Sequence, residues 1–503
     1  MLEATGPLRL DVAQAAFASG TVEMVTRGLM IVLSIAIARL LQPGEVGLLG
    51  LAVIIVGVLS VVASCAETAG VIGRWQGTDQ QHAWMAVAAR GLITACLLVL
   101  ALLCLPTLAH LLAGLESASA ELTALVRLLI WQLGLELAAT YPRVLLQRRL
   151  SLTSLAGASL LQITAHVGLS LLLLWWGYGT MGLVSAALVS GGLSTAFLWS
   201  RLSAQAWPPW GGGPNTGLWG QTLSSTGSVF VASFVGYLNG RLDNILVATA
   251  VGPAAMSFYA MAWSASRIPI SVLIQGVGMV LVPTLARIQG DGERVEKVLR
   301  QSLGHSYLLL APVVAMLCVS GPSLVAAVLG TKWLPLVPCL RVMSVSILMG
   351  PFAVACNAVL VGVGRPHVLG LATGAQLCAI VVLVPPLVGL WGIVGAAVAD
   401  AVSMTVLTAV LFAIVRGVVP QMKWELVTSA GVPILAALSV GLLALSVGGQ
   451  FSQGLFRFAW EGVVIAVGYP AVIVALGGRA RLAEFVVLLR GVSVRAAGPR
   501  ISV

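Results

Sequence analysis

Four arginines, Arg27, Arg90, Arg241 and Arg267, and four acids, Glu23, Glu136, Asp243 and Asp400, stand inside stretches of sequence that are otherwise apolar, with Arg341 as a weaker further cation. A charged side chain at the middle of a lipid bilayer costs about 2.5 to 3.5 kcal/mol on insertion scales, so such residues face a wet cavity or pair with one another. A guanidinium is a planar fork of donors that suits a phosphate-type anion, which a lysine ammonium holds only as a point charge. Every basic residue placed inside a span here is arginine. The acids offer a complementary chemistry: Asp400 in "GAAVADAV" and Glu136 in "LGLELAA" can take up a proton or sodium, or else bond a neighbouring helix.

Spacing sharpens some of these readings. Glu23 and Arg27 fall at i and i+4 of one helix and can pair on one face. Arg267 precedes Pro269, which kinks a helix or loosens its hydrogen bonds. For Arg241 and Asp243, the polar "NGRLDN" suggests a helix break, and structural pairing, interfacial snorkelling and function all stay open. His166 and His305 are isolated and read as packing histidines. The cysteines show no spacing that suits zinc, and no metal or other cofactor is expected.

The elements that carry these residues are membrane helices. The chain has 503 residues, 59% hydrophobic and 9% charged, with a mean hydropathy of +1.03. Windows of about 20 apolar residues, enough to cross a bilayer, recur about fourteen times. The expected fold is all-α and polytopic: an N-terminal lobe over 14–201, a C-terminal lobe over 217–416, two further helices over 427–477 and a basic tail over 478–503. The opening residues lack the apolar core of a cleaved signal peptide. With the N-terminus inside, only Lys332 and Arg457 among the basic loop residues fall outside, so both termini are expected in the cytoplasm. The net charge of +10 is then explained by a basic face beside anionic lipid, and no nucleic-acid partner is implied. Trp175, Trp176 and Trp333 fall at predicted outer ends of helices and read as interfacial anchors.

An internal repeat is visible at an offset of 210 residues. It sets Pro43 over Pro253 and Ala52 over Ala262, and sets Gly179, Gly182 and Ala186 over Gly389, Gly392 and Ala396. Six helices per repeat make the two halves parallel, an arrangement suited to alternating access.

"ARLLQPGEVGLLGLAVIIVGVLS" from Ala38, "LDNILVATAVGPAAMSFYAMAW" from Leu242 and "LGTKWLP" from Leu329 resemble the Wzx-type polysaccharide flippases. These belong to the superfamily that also holds MATE-type multidrug exporters and the lipid II flippase. The resemblance runs from about residue 14 to residue 416. It implies two six-helix bundles around a cavity lined chiefly by helices 1, 2, 7 and 8, and transport of an undecaprenyl-pyrophosphate-linked oligosaccharide across a bacterial cytoplasmic membrane. Arg27, Arg267, Arg241 and Arg90 are then expected to line the path of the anionic headgroup, with Glu23, Asp243, Glu136 and Asp400 as ion-coupling or pairing residues. Lipid-linked oligosaccharide, membrane lipid and polysaccharide polymerase or export proteins are the implied partners.

Two other classes compete. A multidrug or metabolite exporter of the same superfamily would be expected to carry carboxylate-rich cavity helices suited to cations, whereas the first, seventh and eighth spans hold Arg27, Arg241 and Arg267 against Glu23 and Asp243. A membrane glycosyltransferase or polymerase would be expected to carry a large outer loop or a DxD pair of carboxylates, and the sequence has neither. It also contains no HExxH, GxSxG or GxxxxGK[ST] signature, so no enzymatic activity is expected and the drive for transport must come from elsewhere than ATP bound by this chain.

Overall fold

The computed structural model describes residues 6–72, 84–85, 87–96, 118–202, 216–288, 291–418, 431–448 and 455–476. Among them every regular element is helical, and nine helical stretches are long and apolar enough to cross a membrane. The chain forms two compact units, Met1–Arg241 with Gly252–Ser257, and Leu242–Val251 with Phe258–Val503. The basic tail and the segment over 203–215 lie outside the described residues.

In the first unit, α1 (Gly6–Leu40) packs on α5 (Leu152–Trp175), and α4 (Ala118–Arg148) packs on both α2 (Pro43–Ile72) and α6 (Gly179–Ser200). A short apolar helix, α3, covers Val87–Cys96. Tyr141 on α4 stacks on Trp199 of α6 at 5.8 Å, and the Trp199 indole N–H donates to the Ala138 carbonyl at 3.0 Å. This satisfies the indole inside an apolar contact. α7 (Thr216–Val251) runs without a break through Asn239–Asn244, so the polar "NGRLDN" does not interrupt the helix. Tyr237 on α7 donates its hydroxyl to the Ile54 carbonyl of α2 at 2.9 Å.

In the second unit, α8 (Pro253–Ile288), α9 (Gly292–Val319), α12 (Gly350–Gly362) and α14 (Ile393–Val418) share a core that includes Leu285, Leu299, Tyr307, Phe352 and Phe412. α13 (Leu369–Trp391) and α14 form a hairpin, and α15 (Gly431–Gly448) and α16 (Leu455–Ala475) pack on one another and on α9. α9 begins earlier than the ninth apolar span, because the Asp291 carboxylate accepts from the Arg294 N–H at 3.0 Å and caps the charged segment as its first turns. It ends at Val319, and a separate short helix, α10, covers Gly321–Val328. The next span is also divided, into α11 (Val337–Ser346), a 3-10 turn and α12, with Pro351 entering α12 where its missing N–H costs nothing.

Trp175 and Trp176 are exposed at the end of α5, as an interfacial pair would be. Trp333 is fully buried, with its ring edge-to-face on Phe258 at 5.6 Å. The 3-10 turn Thr331–Leu336 carries it inward after Gly330 at φ 105°, so it packs in the protein instead of anchoring an outer end. Arg457, expected in an outer loop, lies in the first turn of α16 and donates to Glu461 at 2.8 Å.

The repeat keeps its register at one end and slips at the other. α2 opens at Pro43 and α8 at Pro253, at the offset of 210. At the second hairpin, a Cβ on Gly182 would meet Leu173 and Tyr178, while a Cβ on Gly395 would run into the Leu387 carbonyl. Gly182 and Gly395 thus play the same part, letting the preceding helix approach, at an offset of 213 (395 less 182). The turns agree, with Gly179 before α6 and Gly392 before α14 both at φ +57°.

Candidate functional site

Among the described residues, each unit holds an arginine–carboxylate pair between helices with one of the two partners buried. In the first unit Arg90 on α3, 1% exposed, donates from Nη2 to Glu136 Oε2 at 2.7 Å, and the Ser60 hydroxyl of α2 donates to the same oxygen at 2.8 Å. Glu136 shares one face of α4 with Gln132, Ala139 and Arg143, spaced at one helical turn, so the face is polar along its length. The pair borders a cavity of about 270 Å³ that Arg143 and Gln162 also line.

In the second unit Arg267 on α8 reaches Asp400 on α14, with Nη2 at 3.1 Å from Oδ1 and 3.3 Å from Oδ2. Its guanidinium also lies 5.2 Å from the ring centre of Trp263, one turn earlier, where the ring face attracts a cation. Asp400 is buried, while the Arg267 side chain keeps 25% of its surface and lines a cavity of about 340 Å³ with Asn357 and Thr373. That residual opening separates this pair from a sealed structural bridge. Close by, Asp243 is held by the Tyr259 hydroxyl at 2.7 Å, and by the Asn244 backbone and side-chain N–H groups at 2.8 and 2.9 Å. Tyr259 feels the charges of Asp400 and Arg267, so the four groups form one electrostatic cluster.

The arginines and acids read from sequence as separate sets are therefore partners in two cases, Arg90 with Glu136 and Arg267 with Asp400. Asp243 bonds Tyr259 and Asn244, and Arg241 is exposed on α7. Arg27 is half-buried on α1, and the side chain of its neighbour Glu23 lies outside the described residues. Arg341 donates from Nε to the Cys318 carbonyl at 2.9 Å, satisfying the end of α9.

Sequence reasoning passed over Tyr259, Gln132, Gln162 and Glu461. The glutamines carry a legible signal, since Ser159, Gln162 and His166 recur on one face of α5. Glu461 is fully buried on α16 and pairs with Arg457 at i and i+4. Tyr259 gives no such signal, because an aromatic residue in an apolar helix looks like core.

Comparison with known proteins places this geometry in a group. Residues 36–338 match the model of a family described as "Polysaccharide biosynthesis protein". An uncharacterized membrane protein in the cps region of Klebsiella pneumoniae is 24% identical over 263 residues, 51% of this chain and 53% of that protein. The lipopolysaccharide biosynthesis protein WzxC of Escherichia coli (strain K12) is 27% identical over 113 residues, 22% of this chain and 23% of that one. The chain thus spans about half the length of the first relative and about a quarter of the second. Among solved structures, the lipid II flippase MurJ in an inward closed conformation matches with a TM-score of 0.75 at 13% identity, over 90% of this chain and 97% of that one. An inward-facing MATE family multidrug resistance transporter of the MOP superfamily matches with a TM-score of 0.62 at 17% identity, over 80% and 98%. At these identities the likeness is one of fold.

Proposed function

The chain belongs to the family described as "Polysaccharide biosynthesis protein", and from that premise we propose that it is a membrane transporter, a flippase for a lipid-linked oligosaccharide. The cargo is an undecaprenyl-pyrophosphate-linked glycan, moved from the inner to the outer leaflet of a bacterial cytoplasmic membrane for exopolysaccharide or lipopolysaccharide export. The names of two matched proteins, one in lipopolysaccharide biosynthesis and one a lipid II flippase, support the class of cargo. Lobes over 14–201 and 217–416 alternate access, with the helices over 427–477 appended and both termini in the cytoplasm.

The observation that carries the mechanism is Arg267, a guanidinium held by buried Asp400 and still open to a cavity. An isolated cation there would be costly, and Asp400 offsets its charge while no substrate is bound. A pyrophosphate offers more anionic oxygens than one carboxylate and competes for the same planar donors. When the headgroup takes Arg267, Asp400 loses its counter-ion and gains affinity for a proton or sodium ion. That exchange ties cargo binding to the ion. Arg27, Arg241 and Arg90 are proposed as further contacts along the headgroup path, with Glu136, Asp243 and Glu23 as pairing or coupling groups. A cation exporter would use an acid open to its cargo, whereas Asp400 and Glu136 each hold an arginine and Asp243 is buried under the Tyr259 hydroxyl and the Asn244 N–H groups.

The test is the leaflet sidedness of lipid-linked oligosaccharide in a strain lacking this gene, read by labelling intact cells and inside-out vesicles. Accumulation on the inner leaflet, relieved by the wild-type gene and not by Arg267→Leu, is expected. No accumulation, with altered drug or cation tolerance instead, overturns the reading in favour of an exporter.

A further inference from the structure

A cavity of the first unit lies among α1, α4, α5 and α6 and holds about 590 Å³, within the range of about 300–1,000 Å³ common to small-molecule sites. Six uncharged polar side chains from four helices converge on it: Thr26, Gln132, Ser159, Gln162, His166 and Ser190. None of the described residues lining it is ionised at neutral pH apart from any charge on His166 itself. Nδ1 of His166 is buried with no hydrogen-bond partner among the described residues. His166 is therefore not a satisfied packing histidine. Gln132 and Gln162 also line the smaller cavity beside Arg90, Glu136 and Arg143, so the neutral chamber adjoins a charged one.

The Ser190 hydroxyl bonds the Ala187 carbonyl of its own helix at 3.0 Å, whereas an amide has no such local partner and is hard to place for packing alone, since an unpaired polar group in an apolar setting is costly. Together the polar side chains present both donors and acceptors. A phosphate needs cations, and an organic cation needs acids or aromatic faces; among the described residues this lining has neither acid nor aromatic ring besides the imidazole. Vicinal sugar hydroxyls match an amide, which donates and accepts side by side, and Met30, Leu155 and Ile163 offer apolar wall to the C–H faces of a ring.

We propose that this chamber is a glycan subsite, which receives an uncharged sugar residue of the lipid-linked cargo through Gln132, Gln162 and His166. The proposal rests on the flippase reading above. It makes the first unit the part that reads the sugar, whereas the second unit's Arg267 addresses the anion.

The experiment compares binding of two probes to the full-length protein in nanodiscs: lipid-linked oligosaccharide extracted from the gene-deleted strain, and undecaprenyl pyrophosphate without sugar. Wild-type protein is expected to prefer the glycan-bearing lipid. Gln132→Met/Gln162→Met, which keeps side-chain length and removes the amides, is expected to lose about tenfold of that preference while holding the sugar-free lipid as before. Thr26→Val/Ser159→Ala serves in the same role where the methionine variant is not monodisperse. A preference unchanged in a folded variant overturns the subsite and leaves the flippase reading standing. Equal loss of both probes also overturns it, because the amides would then hold the lipid or the fold and not the sugar. Wild-type protein that binds neither probe sinks the subsite and the flippase reading together.

Discussion

At the points where the second unit carries Arg267 on α8 and Asp400 on α14, the first carries Gly57 on α2 and Ala187 on α6. The matches follow from the two registers of the repeat, 267 less 210 and 400 less 213. Gly57 leaves room for the Tyr237 side chain, whose hydroxyl reaches the Ile54 carbonyl, and Ala187 lines the neutral chamber. The first unit's Arg90–Glu136 pair sits elsewhere, between α3 and α4. One helical plan thus supports a charge pair at a given place in one half and small residues with a polar cavity in the other. Related halves need not carry related chemistry, and in our reading this division matches a cargo with an anionic end and a sugar end.

The strongest way to break the comparison is to remove the charge pair from the second unit. Asp400→Ala leaves the guanidinium of Arg267 without its carboxylate and is expected to cost about 3–5 kcal/mol of stability, read as an early thermal transition by gel filtration in detergent. Arg267→Leu/Asp400→Leu removes both charges, as the first unit does at these places, and should recover most of that loss. Transport should remain absent in the double variant. Full transport by that protein would show that the second unit works without its pair, and the contrast between the units would lose its functional meaning. The simple charge reversal Arg267→Glu is a poorer probe, because it sets two carboxylates side by side.

The hairpins offer a structural test of the slipped register. A Cβ at Gly395 would strike the Leu387 carbonyl, a backbone atom that cannot swing aside, so Gly395→Ala is expected to destabilise by about 1–3 kcal/mol. At Gly182 the obstacles are the side-chain carbons Leu173 Cβ at 2.9 Å and Tyr178 Cβ at 3.0 Å. Gly182→Ala should therefore act in the same direction and less strongly. Gly392→Ala is a control for the turn, since L-residues disfavour its φ of +57°. A Gly182 variant as stable as wild type would restore the unslipped register.

Glu136→Gln sharpens the contrast between the two pairs. Arg90 and Ser60 can still donate to an amide oxygen, but Arg90 is buried and loses its counter-charge, so the expected cost is about 1.5–3 kcal/mol. A loss as large as that of Asp400→Ala would make the two pairs equivalent.

How much of this was legible in sequence depends on the kind of signal. The helical class followed from composition, and the charged residues stood out because an apolar background exposes them. Their partners did not, since Arg267 and Asp400 are 133 residues apart and no local spacing links them. Trp333 misled for a related reason: a tryptophan near a predicted span end looks interfacial, and only the turn after Gly330 reveals that it packs inward. The repeat register failed at its second window because small residues match at several offsets, whereas a glycine that meets a neighbouring backbone matches at one. The neutral chamber was missed because single glutamines and serines in a span draw no notice until four helices bring them together.

Gly57→Ala probes the smallest term in the comparison, the hydroxyl that stands where the second unit carries charge. A Cβ there would collide with the Tyr237 hydroxyl, so the ring must turn away and give up its bond to the Ile54 carbonyl. That carbonyl lies within α2 and keeps its place in the helical ladder, so only one side-chain hydrogen bond is lost, worth about 1 kcal/mol. Tyr237→Phe removes the same bond together with the nearest obstacle, leaving the ring carbon Cζ at 3.0 Å from a Cβ at Gly57, a gap that a small turn of the ring relieves. Made together, the two changes should cost no more than Gly57→Ala alone, because the obstacle and the bond are the same oxygen atom. Additive losses would mean that α2 at Gly57 is held by something other than Tyr237, and that the small residue there serves helix packing in its own right.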